Sequence, residues 1–413
     1  MTRARIIQAK LWSFLIVASG LFSRAYAQPR AASSTPDCPA SFRPYSVDRT
    51  VFLDLLLDPR ATAVIEKGAP GVLSKLPEFL KKTTPPTIAD ILTLRMVFAG
   101  PDGKDAPDDR LQWIDQDLAA LPITPEVAAI RCARYDETPP ELPTKLKHPA
   151  ILLFTKINGF KDDASVSAAN AALREIGKQR HWTLFLTEDG AVFNTEQLAR
   201  FDAVVWNNVS GDVLTVPQRA AFKRYIEQGG AYVGFHGSGG DPYYDWEWYA
   251  DSLLGARFLS HPMDPEFQEA RLKLDDPKDP ILRGLPDEWR MTDEWYSFKS
   301  DPRNDGSHIL VTLDESTYSP RNGSMDLHMG DHPIAWTRQI GKGRMFYTAI
   351  GHRPESYTEP HFRRLLMQGI DWAVRQEDHP RRGDSSSGDT MISCRTMCRF
   401  GCEEPDWLRR PLL

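Results

Sequence analysis

The chain has 413 residues, 41% hydrophobic and 26% charged, with 27 Gly, 32 Pro and a formal net charge of −6. That balance excludes a collagenous, low-complexity or fully disordered protein and leaves room for one large domain beside a smaller one. The acidic charge argues against a sequence-independent nucleic-acid binder, which needs a basic face to neutralise phosphates. Five cysteines are too few for a disulfide-built scaffold of this length.

At the N-terminus, Arg3, Arg5 and Lys10 form a positive region ahead of a short apolar run from Leu11 to Phe22, and Ala25-Tyr26-Ala27 supplies a small-residue cleavage site. The run falls short of the roughly 20 residues that a membrane span needs. Residues 1–27 therefore read as a signal peptide and the protein as exported, to a bacterial periplasm. Removing them takes away four basic residues and no acids, which leaves a mature net charge of −10. Exported proteins keep disulfides, and Cys38 and Cys132 bracket the next region, so a bridge closing it is expected.

Residues 28–148 read as a small helical module with a Pro-rich linker. Helical patterns run over 50–57, 61–67, 71–80 and 88–98, broken at Pro59, Pro70 and Thr83-Thr84-Pro85-Pro86. No catalytic constellation lies there, and a docking or capping role is the expectation. From Pro149 to about residue 376 strands and helices alternate. Strands are expected at 151–157, 182–186, 201–206, 231–235, 269–274, 308–313, 334–338 and 343–348, with helices at 165–180, 216–228 and 360–375. Short Gly-rich turns between them predict a doubly wound α/β domain with a parallel sheet, whose ligand site lies outside the carboxyl ends of the strands. The tail, 377–413, reads as disordered and carries Cys394, Cys398 and Cys402.

The sharpest local signal is Val233-Gly234-Phe235-His236-Gly237-Ser238-Gly239-Gly240. An apolar strand runs into a glycine-flanked turn, much as in elbows that expose a nucleophile. A histidine at that apex can act as general base or metal ligand. Further His, Asp, Glu, Trp and Tyr crowd the strand ends: Asp241, Trp246, His261, Glu294, Trp295, Tyr296, Asp331, His332 and His352. Aromatic faces beside carboxylates suit a sugar, whose CH groups stack and whose hydroxyls bond to acids. A divalent metal held by His236, His261, His332 and His352 with Asp331 or Glu294 is a second reading, although no H-E-x-x-H or H-x-H spacing is present.

Several blocks together resemble one family. They are Thr155 to Phe160, Thr187 to Phe193, Asp202 to Trp206 with Ser210 to Leu214, and Gly229 to His236. Ser260-His261-Pro262, Asp293-Glu294-Trp295-Tyr296, Asp331 to Trp336 and Gly351-His352 complete the set. In this order, over about residues 149–376, the chain resembles the ThuA-like (trehalose utilisation) family. The resemblance implies a flavodoxin-like, class I glutamine amidotransferase-like fold and a role in using trehalose or related disaccharides through 3-keto sugars. That fold normally carries a cysteine at the elbow, but no cysteine lies between Cys132 and Cys394, so thiolate-based glutamine hydrolysis is excluded. The family's first loop often reads Gly-Phe-Arg-His, whereas here it is Gly159-Phe160-Lys161-Asp162.

The expected activity is cleavage of a glycoside or 3-keto-glycoside by acid/base chemistry. His236 or His352 is the candidate base, with Glu294, Asp331 and His332 completing the catalytic set. Lys156, Asp212, Asp241, Trp246, His261, Trp295 and Tyr296 are the candidates for binding the sugar, Lys156 also for steadying an enolate. The alternative is a sugar-binding or scaffolding module without chemistry that assists a partner sugar dehydrogenase.

Overall fold

Residues 37–374, apart from 42 and 100–107, are described by the computed structural model. The leader-like segment and the three tail cysteines lie outside them. Six helices come first: α1 (Phe52–Leu56), α2 (Pro59–Gly68), α3 (Val72–Lys75), α4 (Leu94–Ala99), α5 (Asp108–Ala119) and α6 (Pro125–Cys132). Their apolar positions recur at helical spacing, as in Leu111, Ile114 and Leu118 of α5, and bury against Ala61 and Ile65 of α2 and Phe52, Leu53 and Leu55 of α1. Truncating one such leucine to alanine typically costs about 2–5 kcal/mol. A disulfide joins Cys38 to Cys132, 94 residues apart.

The remainder alternates. In order come β1 (Ala150–Phe154), α7 (Asp163–Arg180), β2 (Thr183–Thr187), α8 (Thr195–Leu198), β3 (Ala203–Asn207), α9 (Val216–Glu227) and β4 (Ala231–Phe235). Then follow β5 (Phe258–Ser260), β6 (Phe267–Leu274), β7 (Glu288–Glu294), β8 (Ser297–Phe298), β9 (His308–Asp314), β10 (Arg321–Asn322) and β11 (Met325–Asp326). Last are β12 (Pro333–Ile340), β13 (Gly343–Thr348) and α10 (Pro360–Val374). Every residue of β1, β3 and β4 is buried, which is why these strands read as unbroken apolar runs rather than alternating ones.

Nine strands form one mixed sheet in the order β2-β1-β3-β4-β13-β12-β9-β6-β7. The parallel arrangement expected from the sequence holds for β2, β1, β3, β4 and β13. Beyond β13 the sheet continues antiparallel through β12, β9, β6 and β7. Short links such as Gly341-Lys342 between β12 and β13 leave no room for the crossover helix that parallel neighbours require. β5 pairs with β8, and β10 with β11, outside the main sheet. Among the described residues no helix is long and apolar enough to cross a membrane.

The helical segment joins the sheet through polar groups withdrawn from water. Arg131 and Arg134 both donate to Asp54, at 2.9 and 2.7 Å, and Arg134 also faces Asp90 at 3.2 Å. Asp90 accepts the backbone N–H of Asp212 at 2.9 Å, and Thr87 donates its N–H to the Asn158 carbonyl. Beside them Asp241 accepts from the Ser210 hydroxyl and the Gly211 N–H, at 2.5 and 2.7 Å. Gly211 sits at φ +81°, and a Cβ there would meet the Gly159 nitrogen at 2.4 Å. The loops after β1 and β3 can thus touch only because that residue has no side chain.

Two tests follow from these contacts. Replacing both bridged cysteines by serine should lower the unfolding free energy by about 2–5 kcal/mol, given the long loop that the bridge closes. Urea unfolding with and without reductant reads it, and equal midpoints would deny the bridge a stabilising role. Burial pushes Asp90 up to about 8 and Asp241 up to about 7. Both folded values exceed the unfolded one, so the folded state binds the extra protons and stability falls as pH rises from about 4 to about 8. Asp241→Asn mimics the neutral acid and should flatten that decline in melting temperature; an unchanged slope would show that Asp241 does not carry it.

Candidate functional site

β4 and β13 are parallel neighbours whose last residues, Phe235 and Thr348, are in register. The chain leaving each strand therefore emerges at the same end of the sheet, side by side. From β4 it enters a tight turn at His236, which holds the left-handed φ of +43°. For a residue with a Cβ this costs on the order of 1–2 kcal/mol and needs compensation. The Tyr347 hydroxyl donates to the His236 carbonyl at 2.9 Å, and the Gly237 N–H donates to Asn208 Oδ1 at 3.1 Å. The His236 side chain is held in turn by its Nδ1, 2.9 Å from the Ala349 carbonyl. From β13 the chain passes Gly351, at φ +127°, and reaches His352. His236 Nε2 and His352 Nδ1 end 3.0 Å apart.

The third side of the site comes from the far edge of the sheet. β7 lies four strands from β13, about 19 Å away if the sheet were flat. Yet Asp293, near the end of β7, accepts the backbone N–H groups of Gly351, His352 and Arg353 at 2.9, 3.1 and 3.3 Å and the Ser356 hydroxyl at 2.8 Å. The antiparallel half is therefore coiled back over the strand ends of the parallel half. The next residue, Glu294, places Oε2 3.3 Å from His236 Nε2 and 3.1 Å from His352 Nδ1, while its Oε1 is 3.1 Å from His261 Nδ1. Tyr296 brings its hydroxyl to 2.9 Å from His236 Nε2. Two sets of donor atoms suited to a cation result, His236–Glu294–His352 and His261–Glu266–Glu294, with Glu294 in both.

Burial sets the electrostatics. Alone it would raise the Glu294 carboxyl, but hydrogen bonds from His236 and His352 and the charges of His236 and His261 outweigh it and hold Glu294 well below the ordinary range. His352 is raised, because its interaction with Glu294 outweighs the burial that disfavours its charged form. Glu266, half-buried at the mouth, is raised by burial and then by the nearby Glu294 charge. Around this mouth stand Phe160, 52% exposed, and Phe267, 39% exposed. The Phe160 and Phe267 rings lie 5.9 and 5.2 Å from the His352 ring. The site is thus a buried charged base under an apolar rim, a form that can hold a hydroxylated ring by its CH faces and transfer protons beneath it.

Of the residues singled out from sequence, the structure brings together His236, His261, Glu294, Tyr296 and His352. His332 stands one layer back, with its Nε2 2.9 Å from the Tyr296 carbonyl and its Nδ1 2.8 Å from Glu315, so it positions Tyr296. The others lie elsewhere. Asp331 pairs with Arg303 on the surface. Trp295 is core, its indole N–H donating to the Gln268 carbonyl. Lys156 pairs with Asp136 in a separate polar cleft shared with Asn158, Lys161 and Glu188. Asp212 and Asp241 line a small cavity with Trp246, where Asp212 pairs with Arg219 and accepts from the Tyr135 hydroxyl. Their polar groups satisfy one another at the junction with the helical segment, so these side chains are engaged in packing.

Four participants escaped the sequence reading. Asp162 caps α7, accepting from the Ala164 and Ser165 N–H groups, and turns Oδ2 to within 3.4 Å of His352 Nε2. Glu266 and Phe267 occupy a loop and a strand start that have no motif. Asp293 had no role of its own in the block Asp293 to Tyr296; the clue was the alternation of buried Trp289, Met291 and Asp293 along β7, which puts the acid on the inward face.

The profile of a family described as trehalose utilisation, ThuA, matches residues 150–373, more than half of the chain. A putative ThuA-like protein from Bacteroides uniformis ATCC 8492 is 24% identical over 57% of this chain and 94% of its own, with a TM-score of 0.48. One from Parabacteroides merdae ATCC 43184 is 20% identical over the same shares, with a TM-score of 0.45. No curated protein matches the chain.

Asp293 is the anchor that this geometry identifies. Asp293→Asn turns an amide against donors that now meet a carboxylate, and should cost about 1–3 kcal/mol of stability. A urea midpoint equal to that of the unaltered protein would remove the anchoring role.

Proposed function

The chain belongs to the ThuA family, and from that premise we propose that it is an exported enzyme of carbohydrate metabolism that cleaves a 3-keto-glycoside of a trehalose-type disaccharide by acid/base chemistry. The family supports the carbohydrate role, and the order β2-β1-β3-β4-β13 is consistent with a flavodoxin-like layout whose ligand site lies at the carboxyl ends of the strands. The single observation carrying the activity is the convergence of His236, Glu294 and His352 beneath the half-buried pair His261 and Glu266.

A 3-keto group acidifies the C2 proton of the sugar. Glu266, or His261 beside it, takes that proton; the C2–H pair becomes an enolate, and the C1–O bond to the second sugar then breaks. The departing oxygen takes the proton back, leaving an unsaturated keto sugar and a free hydroxyl on the released sugar; water adding across the new double bond gives net hydrolysis. The buried trio steadies the enolate oxygen, while Phe160 and Phe267 hold the ring. Trehalose itself has no acidified proton and should resist.

The purified protein should therefore cleave 3-keto-trehalose and leave trehalose intact. Glu266→Gln should lower kcat by about 10²- to 10⁴-fold with a nearly unchanged melting temperature, since Glu266 lies at the mouth. Stabilisation by both sugars without turnover would replace this reading with a sugar-binding module that serves a partner dehydrogenase.

A further inference from the structure

We propose that His236 Nε2, His352 Nδ1 and Glu294 Oε2 form the binding site for one divalent first-row transition-metal ion. The inference deepens the catalytic reading above and rests on it only for the ion's use, not for its binding.

The protons come first. His236 Nδ1 faces the Ala349 carbonyl at 2.9 Å. A carbonyl only accepts, so Nδ1 keeps its hydrogen, and an ion that displaces the Nε2 proton facing Glu294 meets the ring's lone pair on Nε2. His352 Nε2 faces the Asp162 carboxylate at 3.4 Å, which likewise only accepts and turns the Nδ1 lone pair inward. His261 Nδ1, 3.1 Å from Glu294 Oε1, holds that oxygen and leaves Oε2 facing the two rings. Each of the three inner atoms thus has its outer counterpart engaged by a separate group, the arrangement that orients metal ligands.

The inner atoms form a triangle with edges of 3.0, 3.1 and 3.3 Å. Zinc-type ions bind imidazole nitrogen and carboxylate oxygen at about 2.0–2.2 Å. At tetrahedral to octahedral angles such bonds separate neighbouring ligands by about 3.0–3.5 Å, and the observed edges fall in that range. Two lone pairs and a carboxylate oxygen this close repel unless positive charge is shared among them. The scaffold is stiff: the side chains of His236, His352 and Glu294 are 5%, 9% and 2% exposed, and Asp293 clamps the His352 backbone. Two imidazoles with one carboxylate on one face suit Zn²⁺, Fe²⁺ or Mn²⁺ better than Ca²⁺ or Mg²⁺, which take oxygen ligands. The positions left over, near the Tyr296 hydroxyl and Glu266, could take the oxygens of a keto sugar, whose carbonyl such an ion would polarise.

The test is a Co²⁺ titration of the full-length protein, stripped with a chelator and dialysed, followed by visible absorption and calorimetry. One Co²⁺ per chain is expected, with nitrogen/oxygen-type bands and a raised melting temperature. Glu294→Gln and His352→Ala should abolish both signals. Asp162→Asn provides a variant that keeps its fold, because asparagine caps a helix as well as aspartate does; it should lose about 10- to 100-fold in affinity through His352 alone. No saturable binding, binding undiminished in Glu294→Gln, or an intense thiolate band from the tail cysteines would overturn the proposal. Stoichiometric binding without turnover of any keto sugar would keep the metal site and remove the catalytic reading. Turnover unaffected by chelator in a protein that binds no Co²⁺ would do the reverse.

Discussion

One carboxylate holds the two halves of the sheet to each other at the site. Asp293 leaves the edge strand β7 and accepts three consecutive backbone N–H groups and a hydroxyl from the loop after β13. In water such donors would be solvated at little cost; once buried they need a partner, and a carboxylate with two oxygens serves them all. Because that partner comes from the edge strand of the antiparallel half, four strands from β13, those strands have to coil back over the parallel ones. Glu294, the next residue, is carried to the two histidines by the same contact. Fixing the loop and delivering the acid are one event.

The glycine-flanked turn after β4 places an imidazole at its apex. In a thiol enzyme such a turn projects a nucleophile, but an imidazole at that apex, pinned through Nδ1 to Ala349, has only Nε2 to offer. It is set against His352 and Glu294 rather than presented alone. With no cysteine between Cys132 and Cys394, that apex carries an imidazole where a thiol enzyme would carry its nucleophile. Asp162 stands where the family's first loop often has histidine, and at the start of α7 its carboxylate is favoured by the helix's positive end. Its second oxygen faces His352, so one residue ends the loop, starts the helix and orients a site side chain.

The helical segment meets the same strand ends from another side, through Asp90, Arg134, Asp212 and Asp241. Several acids are withdrawn from water around too few cations: Arg134 serves Asp54 as well as Asp90, and Arg219 serves Asp212 and Asp245. Such a junction is costly to ionise fully. It fixes the loops after β1 and β3, one of which carries Phe160 and Asp162 to the site's rim. That gives the segment a bearing on the site although none of its described residues enters it.

The central strands, their helices and the sheet end at which the candidate site is assembled follow from local pattern in the chain. Runs such as Ala150-Ile-Leu-Leu-Phe154 bury on both faces, and the turn at His236 follows from glycines placed where a strand must stop. Local pattern decided these features because periodicity and turn chemistry act between near neighbours in sequence. It could not separate Glu294 from Asp331, or Tyr296 from Trp295, since acids and aromatics beside a strand end look alike until their partners are known. Trp295 and Trp246 went to packing and Asp331 to a surface ion pair, while Glu266, Phe267 and Asp162 joined the site from segments with no signature. Those assignments turned on the coiling of the antiparallel half, which brings residues about 60 apart, such as His236 with Tyr296 and Asp293 with His352, within hydrogen-bonding distance. Contacts that close only when a sheet curves are written in the register and twist of many strands at once, and no short stretch of sequence contains them.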